Sequence, residues 1–376
     1  MRVALVSDWF LPRQGGIELH LRDLALALRR RGVDARIVTT TRGPDLVDDV
    51  PVHRVRAPLA PGGEFAFTPG AVSRLRGVIK GEQFDVVHAH ASVVSPVAYA
   101  GALAGARAGL PSVLTFHSML YQSSFLLGAS EALFSWSRGR ILLSAVSSVV
   151  AAQAARWIPQ AEVGVLPNGI DVKFWRAASG VTPVDEIVFA SAVRLSRKKR
   201  PASLLRAFAS AVRFSAGSPQ MRLIIAGEGS DRDSLHRQAT ALGISRQLEL
   251  PGQLTRDALR ALYGGAHAFV LPSERESFGI AALEARAAGL PVIAMLASGV
   301  RDFIRPGVDG LLARDERELS RSIARLAIDA PLRAYVSAHN RATPPAYDWA
   351  DVAARHERYY DVAAALGTSA RRASQA

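Results

Sequence analysis

Two glutamates separated by seven residues form the most suggestive pair of charged side chains in this sequence. Glu276 and Glu284 lie within SERESFGIAALEARAAGLPVIA (273–294), where an apolar, helix-like pattern follows Phe278 and Gly279. Carboxylates in such a pair could act as acid and base in hydrolysis, hold a metal ion, contact a ligand, or remain solvated on a helix. The position of the helix start discriminates among these alternatives.

The helix is predicted near residues 279–288, so that Glu276 precedes it and Glu284 lies on its second turn. Eight positions along a continuous helix span roughly 12 Å, with side-chain directions about 80° apart. The two carboxyls of a retaining hydrolase lie only about 5–5.5 Å apart. The spacing therefore favours two contacts on one extended ligand, with exposed amides at residues 278–280 receiving its anionic part.

A run of cations follows a predicted strand and could supply the partner of that anion. The strand EIVFASAV (186–193) runs directly into VRLSRKKR (193–200), which places the charges at the carboxyl edge of a sheet. Such a run is usually a solvated surface, but at this edge a diphosphate would need cations, which Arg binds as a fork and Lys as a point charge. The cations are Arg194, Arg197, Lys198, Lys199 and Arg200.

Glycines follow two other predicted strands. Gly15 and Gly16 come after VALVSD (3–8), and Gly227 opens the loop GEGSDR after RLIIAG (222–227). Glycine lets the backbone approach a ligand closely and enter a helix with exposed amides, as at phosphate sites. A plain turn is the alternative for Gly15 and Gly16.

Three histidines lie at or near strand ends in the first half. His88 and His90 alternate onto one face of DVVHAHA (85–91), and His117 ends SVLTFHS (112–118). A strand histidine is more often a satisfied core residue, but His117 stands where its strand opens into a loop, which favours a functional role. Zinc is the third alternative, and we expect no metal site because neither a nearby carboxylate nor regular ligand spacing supports one.

Strand-length apolar runs alternate with helical patterns throughout the chain, which predicts an α/β fold with parallel sheets covered on both faces. The clearest early helix is predicted from Gly16 to Arg31, with leucines at helical spacing and Gly32 ending it. Two doubly wound, Rossmann-like domains are expected, whose strand ends face a common cleft. The expected bounds are 1–175 and 183–345, a linker at 174–185, a terminal helix at 349–366, and a disordered tail at 367–376.

Composition narrows the class of protein. The chain has 376 residues, 49% of them hydrophobic, and carries a net charge of +13 that is spread over both halves. No apolar run is long enough for a transmembrane helix, and MRVALVSDWF predicts a first buried strand rather than a signal peptide. The absence of cysteine fits a cytoplasmic enzyme. No basic–aromatic motif supports nucleic-acid binding, so phosphate-bearing ligands or arginine-rich codon usage explain the charge.

The segment from Glu276 to Glu284 matches the E-x7-E motif of retaining glycosyltransferases with the GT-B fold, and ESFGIAALEARAAGLPVIA resembles the version in glycosyltransferase family four. The resemblance extends over nearly the whole chain. The other similar segments are LPRQGGIELHLRDLALALRRRG, VLPNGID, VRLSRKK, IAGEGSDRDSL and DWADVAARHERYYDV.

The resemblance implies a nucleotide-diphosphate sugar as donor, linked to UDP or GDP, and a reaction without a bound metal. It implies that Arg194 and Lys199 neutralise the diphosphate, Glu284 holds the ribose, and Glu276 holds the sugar. The implied donor-binding set is Gly16, Arg194, Lys199, Gly227, Phe278, Gly279, Ile280 and Glu284, and the implied catalytic set is His117, Glu276, Arg194 and Lys199.

The first half also resembles family members that add mannose or N-acetylglucosamine to phosphatidylinositol. This implies transfer of a hexose (mannose, glucose or N-acetylglucosamine) to a hydroxyl, and the apolar, aromatic stretch 118–136 and the basic first domain would suit an acceptor at the inner face of a membrane. A polysaccharide or small-molecule acceptor and a GT-B sugar-nucleotide epimerase are the alternatives. Three positions depart from the family pattern: Val193, Ser298 and Asp302.

Overall fold

The computed structural model describes residues 1–13, 15–55, 69–120, 128, 141–176, 186–215 and 219–373. The chain divides into two compact units. The first unit comprises Met1–Gly169 together with Tyr347–Ala376, and the second comprises Ile170–Ala346. Each unit contains one sheet that is covered by helices.

The first unit alternates strands and helices, as the sequence predicts. Its strands are β1 (Arg2–Ser7), β2 (Asp34–Thr39), β3 (Leu46–Val47), β4 (Val50–Arg54), β5 (Val86–Ala91), β6 (Ser112–Phe116), β7 (Ile141–Ala145) and β8 (Val163–Val165). Its helices before the crossing to the second unit are α1 (Gly16–Arg30), α2 (Pro69–Gly81), α3 (Pro96–Arg107) and α4 (Ser148–Trp157).

The eight strands of this sheet follow the order β3-β4-β2-β1-β5-β6-β7-β8. All pairs are parallel except β3 with β4. Strands β2 to β4 lie on one side of β1, and strands β6 to β8 lie on the opposite side of β5. The direction in which strands are added therefore reverses between β1 and β5. Because ligands of such sheets bind at that reversal, beyond the carboxyl ends of the strands, we expect the loops after Ser7 and Ala91 to border a ligand site.

The second unit repeats the arrangement with six strands. These are β9 (Glu186–Ala192), β10 (Gln220–Ala226), β11 (Leu248–Gly252), β12 (Ala268–Leu271), β13 (Val292–Met295) and β14 (Gly310–Ala313). Its helices are α5 (Val172–Arg176), α6 (Pro201–Phe214), α7 (Arg232–Leu242), α8 (Arg256–Gly264), α9 (Ile280–Ala287), α10 (Glu316–Ile328) and α11 (Ala330–Ala342). The parallel order is β11-β10-β9-β12-β13-β14, with its reversal between β9 and β12.

The boundary between the units lies at Gly169, earlier than the expected end at 175. The reason is the packing of α5, which joins the second unit. Trp175 is 1% exposed, and its ring lies 5.5 Å from that of Tyr263. Residues 174–176 are therefore helical rather than part of a linker, and the remainder of the expected linker, 177–185, lies outside the described residues.

The terminal helix α12 (Trp349–Ala373) belongs to the first unit. Tyr359 donates a hydrogen bond to the Leu143 carbonyl at 2.8 Å, and Arg31 pairs with Glu357 at 2.7 Å. The helix extends to Ala373, beyond its expected end at 366, and residues 374–376 lie outside the described residues; the expected disorder of 367–376 stays a prediction. Alanine and arginine favour helix, and basic residues suit its C-terminal end, which explains the longer helix.

A buried carboxylate, that of Asp309, forms ion pairs with two arginines of the second unit. Asp309 is 0% exposed and accepts hydrogen bonds from the guanidinium of Arg286 at 2.8 Å and from Arg305 Nε at 2.7 Å. Burial by itself raises the pKa of Asp309, but these bonds outweigh it and lower that pKa to about 2. Arg286 is also buried, so the pair links α9 to the turn before β14 as a fixed ion pair.

Candidate active site

The strand reversal of the second sheet brings together two of the predicted site residues. Lys199 lies in the loop after β9 and Glu276 in the loop after β12, and Lys199 Nζ lies 2.6 Å from Glu276 Oε2. Both side chains are partly covered, with 34% and 15% of their surface exposed. A cation and an acid that are distant in sequence thus form one polar centre at the carboxyl edge of the sheet.

The backbone around Lys199 is fixed by neighbours on the same edge. Residues Arg197–Lys199 form a 3-10 turn, after which Arg200 adopts a left-handed conformation with φ of 57°. Ser273, itself buried, donates a hydrogen bond to the Lys199 carbonyl at 3.1 Å, and Arg200 pairs with Glu274. Of the predicted cations, Arg200 is thereby engaged within the protein, while Lys199 is held facing Glu276.

Gly227 and Gly229 pack against the loop that follows β9. Their φ angles are 139° and 159°, and a Cβ at either position would overlap the carbonyl oxygen of Val193 or Leu195. The Leu195 amide donates to the Glu228 carbonyl at 2.9 Å, which ties the two loops together. The side chain of Arg194, between these anchored residues, is exposed. The side chain of Val193, one of the departures from the family pattern, is buried in the protein.

Helix α9 begins at Ile280, close to the predicted start. Gly279 precedes it with φ of 92°, a left-handed conformation that favours glycine, and no side chain caps it. Phe278 is buried, with its ring 5.4 Å from that of Phe303. The amides of Ala282 and Leu283 donate to the Gly279 carbonyl, at 3.0 and 3.1 Å. The amides of Ile280 and Ala281, at the start of α9, follow Glu276 closely in sequence and can receive an anion.

Glu284 lies within α9 and Glu276 in the loop before it, as the spacing predicts. Glu284 is half-buried. Burial is the largest cause that raises the pKa of Tyr263, and the negative charge of Glu284 raises that pKa further. The two acids therefore occupy separate positions along one edge rather than one helical face, which argues against an acid/base pair for hydrolysis.

The departures at 298 and 302 lie in a segment that holds Glu276. The Gly299 amide donates to the Glu276 carbonyl at 2.8 Å, and Ser298 Oγ donates to the Met295 carbonyl at 2.6 Å. Ser298 has φ of −96°, an ordinary conformation that does not require glycine. Asp302 ends the short 3-10 helix Gly299–Asp302. The hydrogen bond of Ser298 therefore helps to fix the segment whose Gly299 amide bonds to the backbone of Glu276.

In the first unit, Gly16 begins α1 as predicted, with Gly15 in extended conformation before it. Gly16 is exposed, and a Cβ built on it would meet no other described atom within 4 Å. The backbone at the start of α1 is thus accessible to a ligand. Gly16 and the residues of the Lys199–Glu276 centre belong to different units.

His88 is a satisfied core histidine. Its two ring nitrogens hydrogen-bond with the Tyr360 hydroxyl at 2.9 Å and with Thr115 Oγ1 at 2.7 Å. His90 is on the same face, with its ring centroid 4.0 Å from that of His88, as the alternation predicts. His90 Nδ1 hydrogen-bonds with His117 Nε2 at 2.9 Å, so that the predicted site residue His117 has a histidine partner.

Sequence reasoning missed a further member of this group. His20 on α1 is buried, with its ring centroid 5.0 Å from that of His117 and 5.9 Å from that of His90. Its only sequence signal is its place beside Leu21 on the buried side of an amphipathic helix, which by itself indicates a core residue. His356 of α12 lies next to the group and hydrogen-bonds with the Val352 carbonyl at 2.8 Å.

These histidines are neutral at physiological pH. Burial is the largest cause that lowers the pKa values of His20, His88 and His90, and repulsion by neighbouring imidazoles lowers them further. The same effects lower the pKa of His117 to about 3. An uncharged imidazole keeps a lone pair, so the group consists of hydrogen-bonding or ligating nitrogens rather than fixed cations.

Sequence comparison identifies relatives along the whole chain. The family described as Glycosyltransferase Family 4 matches residues 14–174, and that described as Glycosyl transferases group 1 matches residues 173–343. A GDP-mannose-dependent alpha-mannosyltransferase of Mycolicibacterium smegmatis is 31% identical, over 83% of this chain and 84% of the relative. The D-inositol 3-phosphate glycosyltransferase of Actinosynnema mirum is 29% identical, over 88% and 90%. The phosphatidyl-myo-inositol mannosyltransferase of Mycobacterium leprae is 28% identical over the full length of both.

Solved structures share the fold at lower identity. Anabaena HepE in complex with UDP and glucose superposes with a TM-score of 0.72 at 21% identity, covering 96% of this chain and all of HepE. Sucrose-phosphate synthase from Thermosynechococcus elongatus gives a TM-score of 0.73 at 19% identity, covering 96% and 98%. The two doubly wound parallel sheets are thus those of the GT-B fold. Within the described residues, no helix combines the length and apolarity needed to cross a bilayer.

Proposed function

Because the chain belongs to the family of glycosyl transferases group 1, we propose that it transfers a hexose, with retention of configuration, from a nucleotide-diphosphate sugar to a hydroxyl acceptor. The observation that carries this proposal is the Lys199–Glu276 pair at the strand reversal, 2.6 Å apart and next to the start of α9. The cation and the helix amides can bind the diphosphate, and the acid can accept hydrogen bonds from the hydroxyls of the sugar.

In the proposed reaction, the oxygen of the acceptor hydroxyl forms a bond to the anomeric carbon of the sugar as the bond between that carbon and the diphosphate breaks. Negative charge accumulates on the departing diphosphate, which takes up the proton that the hydroxyl loses. Lys199 and the exposed Arg194 stabilise that charge, together with the first-turn amides of α9. Glu276 accepts hydrogen bonds from sugar hydroxyls, and its pairing with Lys199 keeps both side chains oriented before the donor binds. We assign no step to a bound metal, because these fixed cations and amides can neutralise the diphosphate.

Glu284 is proposed to accept hydrogen bonds from the ribose hydroxyls of the donor. Replacing it by glutamine should weaken donor binding about 10- to 100-fold, because hydrogen bonds to a charged acceptor contribute about 1.5–3 kcal/mol. Calorimetric titration with UDP- and GDP-linked sugars would measure this and identify the preferred base. Glu249→Gln, at a half-exposed acid on β11, is the control and should bind as wild type. Equal affinity in both variants would refute the role of Glu284.

For the acceptor, we propose a phosphorylated inositol, either free or as a lipid headgroup. Two of the relatives act, by their names, on D-inositol 3-phosphate and phosphatidyl-myo-inositol, and the net charge of +13 favours an acidic acceptor. The apolar stretch 118–136, by which the sequence favours a lipid, lies outside the described residues except for 118–120 and 128. Association with the inner face of a membrane remains part of this proposal.

Transfer of radiolabelled mannose and N-acetylglucosamine tests the acceptor. We expect label on inositol 3-phosphate in the aqueous phase or on phosphatidylinositol vesicles in the organic phase, and the phase identifies the source of the headgroup. Label on neither, with transfer to a polysaccharide or another small molecule, would overturn the inositol assignment. An epimerase would instead convert or hydrolyse the sugar nucleotide without any acceptor.

A further inference from the structure

We propose that His20, His90 and His117 form a binding site for a transition-metal ion such as Zn²⁺. One ring nitrogen of each histidine lies within 4.8 Å of the corresponding nitrogens of the other two. We call these three residues the histidine triad. Its members come from three elements, namely α1, the end of β5 and the residue after β6, so the fold itself assembles the site.

The distances suit a metal ion. Zn–N bonds of about 2.0–2.1 Å in tetrahedral geometry place ligand nitrogens roughly 3.3 Å apart. His90 Nδ1 and His117 Nε2 are 2.9 Å apart, and the remaining separations fall within the 4.8 Å limit. The 2.9 Å separation and the 4.8 Å limit therefore lie on either side of the tetrahedral value, and an ion at the triad would replace the hydrogen bond between His90 and His117.

Unpartnered nitrogens point to the same conclusion. Among the described residues, buried His20 Nδ1 and His90 Nε2 have no hydrogen-bond partner. His88, which packs against His90, differs because Tyr360 and Thr115 satisfy both of its nitrogens. His20 Nδ1 and His90 Nε2 are thus not used by the protein itself, whereas His90 Nδ1 becomes available to an ion only if its hydrogen bond with His117 breaks. His88 packs against the ring of His90 from one side.

The chemistry of the triad selects the ion. Three neutral imidazoles suit Zn²⁺, Co²⁺, Ni²⁺ or Cu²⁺, whereas Mg²⁺ and Ca²⁺ prefer oxygen ligands, which the triad lacks. Three protein ligands leave the fourth position of Zn²⁺ open to water or to an anionic group. The triad belongs to the first unit, whereas Lys199 and Glu276 belong to the second.

Metal binding has a consequence that rests on the proposed function. The family resemblance places His117 in the catalytic set, and a metal ion would take one of its nitrogens and fix its ring. We therefore expect Zn²⁺ bound at the triad to inhibit hexose transfer, although the transfer itself requires no metal.

The test uses the full-length protein without a histidine tag. Because the chain contains no cysteine, visible absorption by bound Co²⁺ reports nitrogen and oxygen ligands only. We expect one Co²⁺ or Zn²⁺ per chain by titration, a higher melting temperature in Zn²⁺ than in EDTA, and no shift with Mg²⁺. Absence of stoichiometric binding by the wild-type protein would overturn the site.

Variants locate the ion. His20→Gln and His117→Gln should each weaken Zn²⁺ binding at least tenfold, whereas His236→Gln, at an exposed histidine on α7, should bind as wild type. Circular dichroism in EDTA verifies that each variant is folded, and His90→Gln serves if either is not. Equal Zn²⁺ affinity in the triad variants and His236→Gln would refute the assignment.

Transfer assays separate the two proposals. Inhibition by stoichiometric Zn²⁺ that is relieved by EDTA would support both the site and its link to His117. Zn²⁺ binding with unchanged transfer would overturn the link alone. Zn²⁺ binding at the triad without any transfer activity would overturn the proposed function and leave the metal site supported.

Discussion

Replacing Lys199 by methionine should lower kcat/KM for hexose transfer on the order of 10²- to 10³-fold, the usual effect of removing one preorganised group that stabilises developing charge. Methionine keeps an unbranched side chain, one atom shorter than that of lysine, but removes the cation that faces Glu276 at 2.6 Å. The departing diphosphate then lacks a fixed positive charge, and Glu276 loses the partner that orients it. Initial rates over a range of donor concentrations measure the effect.

Lys198→Met is the matched control for that experiment. Lys198 precedes Lys199 in the same 3-10 turn, but its side chain is exposed and makes no ion pair with any described residue. Its charge is screened by solvent, so we expect a change in kcat/KM of less than about threefold. Equal losses in the two variants would show that general positive charge, rather than the placement of Lys199, determines the rate.

Replacing Asp309 by asparagine should lower the free energy of unfolding by about 3–5 kcal/mol, because it leaves the charge of Arg286 buried without its partner. The Arg286 side chain is 7% exposed, so water cannot replace the carboxylate. Since the pKa of Asp309 is lowered to about 2, its contribution is complete above the ordinary carboxyl pKa near 4 and is lost as the pH falls through 2. Urea denaturation followed by circular dichroism and fluorescence measures the difference.

Asp257→Asn is the control for the stability prediction. Asp257 pairs with Arg260 at 3.1 Å, but its side chain is 77% exposed. An exposed pair of this kind contributes less than about 1 kcal/mol. If the two variants were destabilised equally, burial of the Asp309 pair would not be what makes it important.

The alternation of strands and helices was predictable because buried parallel strands and amphipathic helices have strong periodic signals. The boundaries of α9, Ile280–Ala287, agree with the predicted 279–288 to within one residue at each end. The strand β14 was not predicted, since Gly310–Ala313 is only four residues long and follows a turn. The helices α10 and α11 were not predicted either. The helical nature of residues 174–176 depends on the contact of Trp175 with Tyr263, which no local pattern encodes.

The site was predictable where one segment carries the signal. Spacing around Gly279 places Glu276 and Glu284, but the pairing of Lys199 with Glu276 joins positions 77 residues apart. The histidine triad was not predicted, because His20 conforms to the core pattern of α1. The ligand contact of Gly227 stays a prediction, and the packing of its backbone against Val193 is a contact that no local pattern shows.

The return of α12 to the first unit determines the order in which the protein can fold on the ribosome. The second unit, Ile170–Ala346, is continuous in the chain, whereas the first unit requires Tyr347–Ala376, which is synthesised after the second unit. His88 in the first sheet therefore lacks its hydrogen-bond partner Tyr360 until the whole second unit has been synthesised. Domains usually complete folding from the N-terminus onward during synthesis, but here the downstream unit is the first whose whole sequence is available.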